Sequence, residues 1–274
     1  MSSEPVQSCE PAERERPLVE EGANVVIFGG SSGIGLGVAR YLAVHGAHVT
    51  LVGRKQEKLE EAIASIRAEG GQAASYALDV RQAEPVQDAL EKNARDRGEL
   101  DLVVAAAAGN FFVPAAELSP KGFRTVVEVD LIGTFNVFSA AFPRMRKPGG
   151  AMVAISAPQA QRAMQYQAHA CAAKAGVDML VKCLALEWGA HGVRVNAVSP
   201  GPIAETEGLS RLSASPEIER AVRDNTALRR FGSVDDIARA VAFLASDQAA
   251  YVTGTVLDCD GGMRLGNFAV MEGA

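Results

Sequence analysis

The chain has little that would tie it to a metal, a disulfide framework or a membrane. Its four cysteines, Cys9, Cys171, Cys183 and Cys259, contain no Cys-x-x-Cys pair, and its four histidines, His45, His48, His169 and His191, contain no His-x-x-x-His pair. No metal site or disulfide scaffold is expected from such spacing, and reduced thiols follow. No uninterrupted apolar run reaches the roughly 18 residues that a membrane span needs. The opening stretch MSSEPVQSCEPAERERPLVEEG has no apolar core behind a basic end, and the closing MEGA is not an address of the Ser-Lys-Leu type, so a cytoplasmic location is expected. Positive charge is also short: 27 Lys and Arg stand against 33 Asp and Glu, a net charge of -6 with a pI near 5.4, which disfavours nucleic acid as a partner. Small molecules remain.

What is present is a chain of 274 residues, 48% hydrophobic and 22% charged, enough for a substantial core in one domain. From Ala23 onward, short β-branched runs alternate with amphipathic stretches of helical period, the pattern of βαβ units feeding a parallel sheet. Strands are expected at 24–28, 48–52, 72–77, 102–106, 151–156, 194–199 and 255–258. The expected fold is therefore α/β, a Rossmann-type doubly wound parallel sheet of about seven strands in a single domain spanning 21–274. Residues 1–20 lack apolar periodicity and read as a flexible arm. The segment 202–226, broken by Gly208, Ser213 and Pro216, leaves the end of the sixth strand; it is either a substrate lid or a peripheral helical pair.

The first strand runs into Gly29-Gly30-Ser31-Ser32-Gly33-Ile34-Gly35 and then into LGVARYLAVHG at helical spacing. A glycine-rich turn between strand and helix brings backbone N–H groups and a helix N-terminus against a pyrophosphate, where a Cβ would obstruct. The second strand ends in Gly53-Arg54-Lys55, where a site selective for NAD would place an acid against the ribose 2′-hydroxyl. Two cations complement a 2′-phosphate instead, so NADP(H) is expected; the alternative is that Arg54 and Lys55 merely solvate a helix start.

Taken together, FGGSSGIG at 28–35, Asp79-Val80, AAAAG at 105–109, Lys174, PGPI at 200–203 and DGG at 260–262 resemble the short-chain dehydrogenase/reductase superfamily over about residues 20–262. The resemblance implies that Gly29, Ser31, Ser32, Gly33, Ile34 and Gly35 hold the phosphates, that Asp79 and Val80 flank the adenine, that Lys174 binds the nicotinamide ribose and that Pro200, Gly201 and Ile203 border the carboxamide. It also exposes departures. The superfamily's proton-donating Tyr and substrate-orienting Ser fall on Ala170 and Ala157, neither of which can donate or accept a proton. The helix Asn falls on Asp130, and the two Asn of the NNAG pattern fall on Ala105 and Ala106.

The same departures occur in the 2,4-dienoyl-CoA reductases, especially the peroxisomal type, which the sequence resembles in Ala-Ala-Gly-Asn-Phe at 107–111, VDLIGTFNV at 129–137, HACAAK at 169–174 and PGPIAETEGLSRL at 200–212. That likeness implies an NADPH-dependent oxidoreductase acting on an acyl-CoA thioester, with Asn110 on the thioester oxygen, Asp130 and Lys174 in proton delivery, and a homotetramer. Gln159 stands where the mitochondrial type has a Tyr. Asp130 either relays a proton or simply pairs with Lys174. Two other readings stand beside this one: a carbonyl or 3-ketoacyl reductase with a rearranged acid, and a non-catalytic NADPH-binding protein. Tyr166, four residues before Ala170, would be about 5.4 Å out of place if the helix has begun there. His169 and Cys171 read as packing residues. The helix beginning AKAGVDMLVKCLALEWG carries Val177, Leu180, Val181, Leu184 and Leu186 on more than one face, which calls for a partner subunit.

Overall fold

The computed structural model describes residues 18–206 and 215–266. Most of the expected arm and residues 207–214 of the expected lid lie outside that range. Residues 18–20 do not belong to an arm: Val19 is buried in the core, and the Glu20 carboxylate pairs with Arg146 at 2.8 Å.

Seven strands form one parallel sheet: β1 Asn24–Phe28, β2 His48–Gly53, β3 Gln72–Ala77, β4 Leu102–Ala105, β5 Ala151–Ile155, β6 Arg194–Pro200 and β7 Val256–Cys259. Their order across the sheet is β3-β2-β1-β4-β5-β6-β7. Each expected strand is found within a residue of its predicted bounds. The inner strands β1, β4, β5 and β6 are buried at every position, as continuous Val/Ile/Ala runs must be when helices cover both faces. On one face, α1 Gly33–Val44, α2 Gln56–Ala68 and α8 Val234–Ala245, which follows the short α7 Pro216–Asp224, close over Ile27, Leu51, Leu42, Ile66 and Ile237. On the other, α3 Ala83–Arg97, α5 Gly133–Ala141 and α6 Ala168–Trp188 close over Phe28, Met152, Leu90, Phe138 and Val195.

Because β2 lies on one side of β1 and β4 on the other, the chain leaves β1 and β4 in opposite directions. A crevice opens at their carboxyl ends, the place where such sheets bind ligands. Two further details shape it. The helix α4, Pro120–Val127, capped by Ser119 on the Gly122 N–H at 3.1 Å, widens into one π-turn at Glu128–Ile132 before α5. Such turns interrupt regular helices where a side chain must be re-aimed, and this one carries Asp130. The continuous helical unit Pro120–Arg144 is long and apolar enough, by length and composition, to cross a membrane, but it packs Val126, Val137, Phe138 and Ala141 into the interior, and a core helix passes the same test.

At the far end of the sheet, buried Arg194 on β6 donates to the carbonyls of Leu244, Ala245 and Ser246, satisfying the last acceptors of α8. At its other end α8 starts in a full capping box: the Ser233 hydroxyl accepts from the Asp236 N–H at 3.1 Å and the Asp236 carboxylate from the Ser233 N–H at 2.9 Å. The Asp236 carboxylate also pairs with Arg230 at 2.9 Å. Led by Arg230, these partners hold the Asp236 carboxyl down at about 2, against 3.8 for an ordinary Asp. A depressed acid stabilises the fold above its unfolded value and loses that contribution as pH falls through its folded value. Asp236→Ala is expected to cost about 1–2 kcal/mol in denaturant unfolding at neutral pH. The difference from the parent should shrink between pH 3.8 and about 2; a difference that stays constant down to that acidity would contradict the assignment.

Candidate active site

The phosphate turn is built on backbone contacts that exclude side chains. Gly29 has φ +82°, and a Cβ there would lie 2.6 Å from the backbone of Ala106 and Ala107, where the end of β4 crosses the turn. A Cβ on Gly35 would meet the Gly29 carbonyl oxygen at 2.2 Å. Gly33, by contrast, has φ +53° and open space where a Cβ would stand, so the cradle has room on its outer side. Ser32 caps α1 without a side-chain cap bond and no acid occupies the first turn, which leaves the helix N-terminus for an anion. Ser31 and Ile34 lie on the same turn. These features fit the pyrophosphate of a dinucleotide.

Across the crevice mouth, Gly53 closes β2 with its α-carbon against Ser31: a Cβ would come within 3.1 Å of the Ser31 hydroxyl. Arg54 follows, exposed, and Lys55 is the N-cap of α2. Asp79, expected at the adenine, is gripped by Arg81 through contacts of 2.6 to 3.0 Å; Arg81 first, and Arg54 more weakly, hold its carboxyl below the usual range. Sequence reasoning missed Arg81, although a cation two residues after the Asp was there to be read. Val80 is buried, and its carbonyl accepts from the Asn136 amide at 2.9 Å.

The three residues expected to carry the reaction are organised by a buried ion pair. Lys174 on α6 and Asp130 on the π-turn meet at 3.3 Å, with side chains 9% and 2% exposed. The Lys174 ammonium also donates to the Ile155 carbonyl at the end of β5, at 2.8 Å. The second oxygen of Asp130 accepts from the Gly109 N–H at 2.7 Å, one residue before Asn110. The Asn110 amide in turn donates to Gln167 at 2.9 Å. The structure thus brings Asn110, Asp130 and Lys174 together. Ala170 is buried and Ala157 half-buried.

Other neighbours were not legible in the sequence. Ser156, next to Ala157, turns its hydroxyl to Asp178, a full helical turn beyond Lys174; burial pushes the Asp178 carboxyl up, against the pull of Ser156, Gln161 and the nearby lysines. His169 is fully buried with its ring 4.3 Å from that of Phe111, and burial lowers its basicity despite the charge of Asp130, in keeping with a packing role. Tyr166 corrects an assumption: α6 begins only at Ala168, so Tyr166 lies before the helix, half-exposed at φ +64°, with its carbonyl accepting from the Val113 N–H at 3.0 Å. Its displacement from the Tyr position of the superfamily is therefore set by a left-handed turn rather than by one turn of helix.

On the opposite wall, Pro200 ends β6 and Gly201 and Ile203 follow it. The Gly201 N–H donates to Cys259 at 3.1 Å and a Cβ on Gly201 would strike Asp260 at 2.6 Å, so the PGPI and DGG segments are in backbone contact. A cleft of about 520 Å³ opens there, lined in part by Pro202, Ile203, Leu228, Arg230 and Gly262. Among the described residues no group of His, Cys, Asp or Glu is arranged to hold a metal ion.

This geometry defines a dinucleotide-dependent oxidoreductase. A family model described as enoyl-(acyl carrier protein) reductase matches residues 29–264, and the chain belongs to that family of short-chain dehydrogenases and reductases. It is 40% identical over 260 residues to a peroxisomal 2,4-dienoyl-CoA reductase, (3E)-enoyl-CoA-producing, of Arabidopsis thaliana, covering 91% of this chain and 87% of that one. A Bacillus subtilis protein named as a (2E)-enoyl-CoA-producing 2,4-dienoyl-CoA reductase is 39% identical, covering 88% and 96%. Among solved structures, a short-chain dehydrogenase from Bacillus anthracis is similar with a TM-score of 0.80 at 37% identity, covering 89% of this chain and 97% of that one. The expected cytoplasmic location is overturned by the relatives: those from Arabidopsis thaliana, Danio rerio and Saccharomyces cerevisiae are all named peroxisomal. Features missing from a sequence exclude particular signals and do not assign a compartment.

The cofactor of this family is NADPH, and the residues at the mouth of β2 suit its 2′-phosphate. Arg54→Ala should weaken NADPH binding by on the order of 1.5–3 kcal/mol, the worth of a charge-assisted bond, and leave NADH nearly unaffected. Fluorescence titration checks this; equal affinity of the parent protein for both cofactors would contradict it.

Proposed function

We propose that the chain reduces 2,4-dienoyl-CoA thioesters with NADPH, giving the 3-enoyl thioester. The observation that carries this reading is the pairing of two alanines, Ala157 and Ala170, where a carbonyl reductase needs its Ser and Tyr, with a buried Asp130–Lys174 pair that holds the loop of half-buried Asn110 through the Gly109 N–H. When bound, NADPH supplies the hydride, which a conjugated dienoyl group accepts at C5. Charge then spreads to the thioester oxygen as an extended enolate, and no donor to a ketone oxygen is required.

Asn110 donates to that oxygen, held in place by Gln167 and by the Gly109 N–H bond to Asp130. Asp130 and Lys174 pass a proton towards C2. Asp130 therefore serves both as the ion-pair partner of Lys174 and as the relay. Gly29, Ser31, Ser32, Gly33, Ile34 and Gly35 seat the pyrophosphate, Arg54 and Lys55 the 2′-phosphate, Asp79 and Val80 the adenine, Lys174 the nicotinamide ribose, and Pro200, Gly201 and Ile203 the carboxamide. The segment 202–226 acts as a lid. Its described ends support this: backbone bonds between Ala204 and Gly232 and between Gly232 and Pro202 tie the excursion at both ends beside the cleft.

The subunits assemble as a homotetramer. Of the α6 residues read as covering more than one face, Val177, Val181 and Leu184 are spent in the core, and Leu186 points outward. The outward face carries Met179 and Leu186, 59% and 86% exposed, with Ile132 and Phe135, 44% and 47% exposed, on the π-turn and α5. Four large apolar side chains on adjacent helices make a face that a second copy would bury. Light scattering should give a tetrameric mass, and a monomeric mass would refute the assembly.

Asn110→Ala is expected to slow dienoyl-CoA turnover about 10²–10³-fold with little change in NADPH affinity. Product analysis is the sharper measurement. A 3-enoyl thioester supports the reading, whereas a hydroxyacyl product, or full activity in the variant, would overturn it. Asp130→Asn should also slow turnover while preserving the acceptor for Gly109.

A further inference from the structure

Gln167 sits at the N-cap of α6, 2% exposed, and its side-chain oxygen accepts two hydrogen bonds, from the Asn110 amide and from the Gln159 amide, each at 2.9 Å. Gln159 comes from elsewhere in the fold, the single 3₁₀ turn Pro158–Ala160 that follows β5. Two nitrogens that share one acceptor at 2.9 Å lie within twice that distance of each other, close enough for one further oxygen to reach both. A primary amide carries two N–H groups, and one of those on Gln159 is used on Gln167. Gln159 is half-buried, and its second N–H meets no partner among the described residues. That N–H is available to an acceptor that enters beside Asn110.

We propose that Gln159 is the second donor to the thioester oxygen, and that Gln167 is the positioning residue that sets Gln159 and Asn110 side by side. The assignment rests on the dienoyl reductase reading above. The turn bearing Gln159 is braced twice: Lys174 holds the Ile155 carbonyl ahead of it, and Gln167 holds the Gln159 side-chain amide. One buried acceptor thereby fixes two donors on separate loops before any substrate arrives, and donors already oriented need no rearrangement as the enolate charge develops. Gln159 also lies two residues beyond Ala157, so the β5 loop retains a polar contact to the substrate although its Ser position does not.

The test uses the full-length protein, NADPH and a 2,4-dienoyl-CoA, with a CoA thioether of the same chain, in which a methylene replaces the carbonyl, as a competitive inhibitor. Gln159→Leu should lower kcat about 10–10²-fold while the Kd for NADPH and the inhibition constant of the thioether, which has no oxygen to bind, stay within about twofold. Gln167→Leu should lower kcat similarly, and Gln167→Glu, which keeps an accepting oxygen, should recover most of it. Parent-like kcat in Gln159→Leu would overturn the donor role. Equal weakening of thioether and thioester would reduce Gln159 to a packing residue and overturn it as well, and parent-like kcat in Gln167→Leu would overturn the positioning role. A parent enzyme that turns over no dienoyl-CoA would instead overturn the reading of the reaction, a result distinct from all of these.

Discussion

The ion pair between Lys174 and Asp130 is the constraint on which the reaction centre depends. A buried ammonium needs a counter-charge and further acceptors, or its desolvation would be ruinous. Here it receives both from two separate segments, Asp130 from the π-turn and the Ile155 carbonyl from β5, while α6 carries the lysine itself. Asp130 passes the constraint on through the Gly109 N–H, so the loop bearing Asn110 is registered to the same charge. Removing either partner would leave an unpaired ion in the interior and free three loops together. That makes the pair an unreliable place to look for catalysis alone, because its loss disturbs the geometry as well as the proton path.

Much of this was legible beforehand, and the reasons are local. The sheet followed from continuous runs such as NVVIF and AMVAI, which have few other ways to be buried, and the strand ends from the glycines and prolines beside them. Gly29 and Gly35 could be read as backbone contacts because nothing larger survives where strand, turn and helix cross. The polar neighbours were less visible. Arg81, Gln167 and Asp178 act through partners that folding brings to them, and no spacing in the sequence announces that Gln159 and Asn110, 49 positions apart in the chain, share an acceptor.

The outward face of α6 shows a different limit. Counting apolar residues around the helix called for more than one apolar face, but it could not say which residues the sheet would claim first. Val177, Val181 and Leu184 go to the core; Met179 and Leu186 are left over, and the neighbouring π-turn contributes Ile132. Periodicity counts faces, and only packing allots them.

The contact between Gly53 and Ser31 carries a consequence for how cofactor preference can drift. In many nucleotide sites one acidic substitution at the end of the second strand would invert the preference. Here the α-carbon at that place already rests on the phosphate turn, and even a single added carbon would press on the Ser31 hydroxyl at 3.1 Å. A carboxylate introduced at 53 would face the 2′-phosphate that Arg54 and Lys55 are proposed to seat, and its Cβ would make the Ser31 side chain on the phosphate turn give by a few tenths of an ångström. Selectivity and grip therefore meet at one contact, and a smaller residue at 31 would ease the entry of an acid at 53.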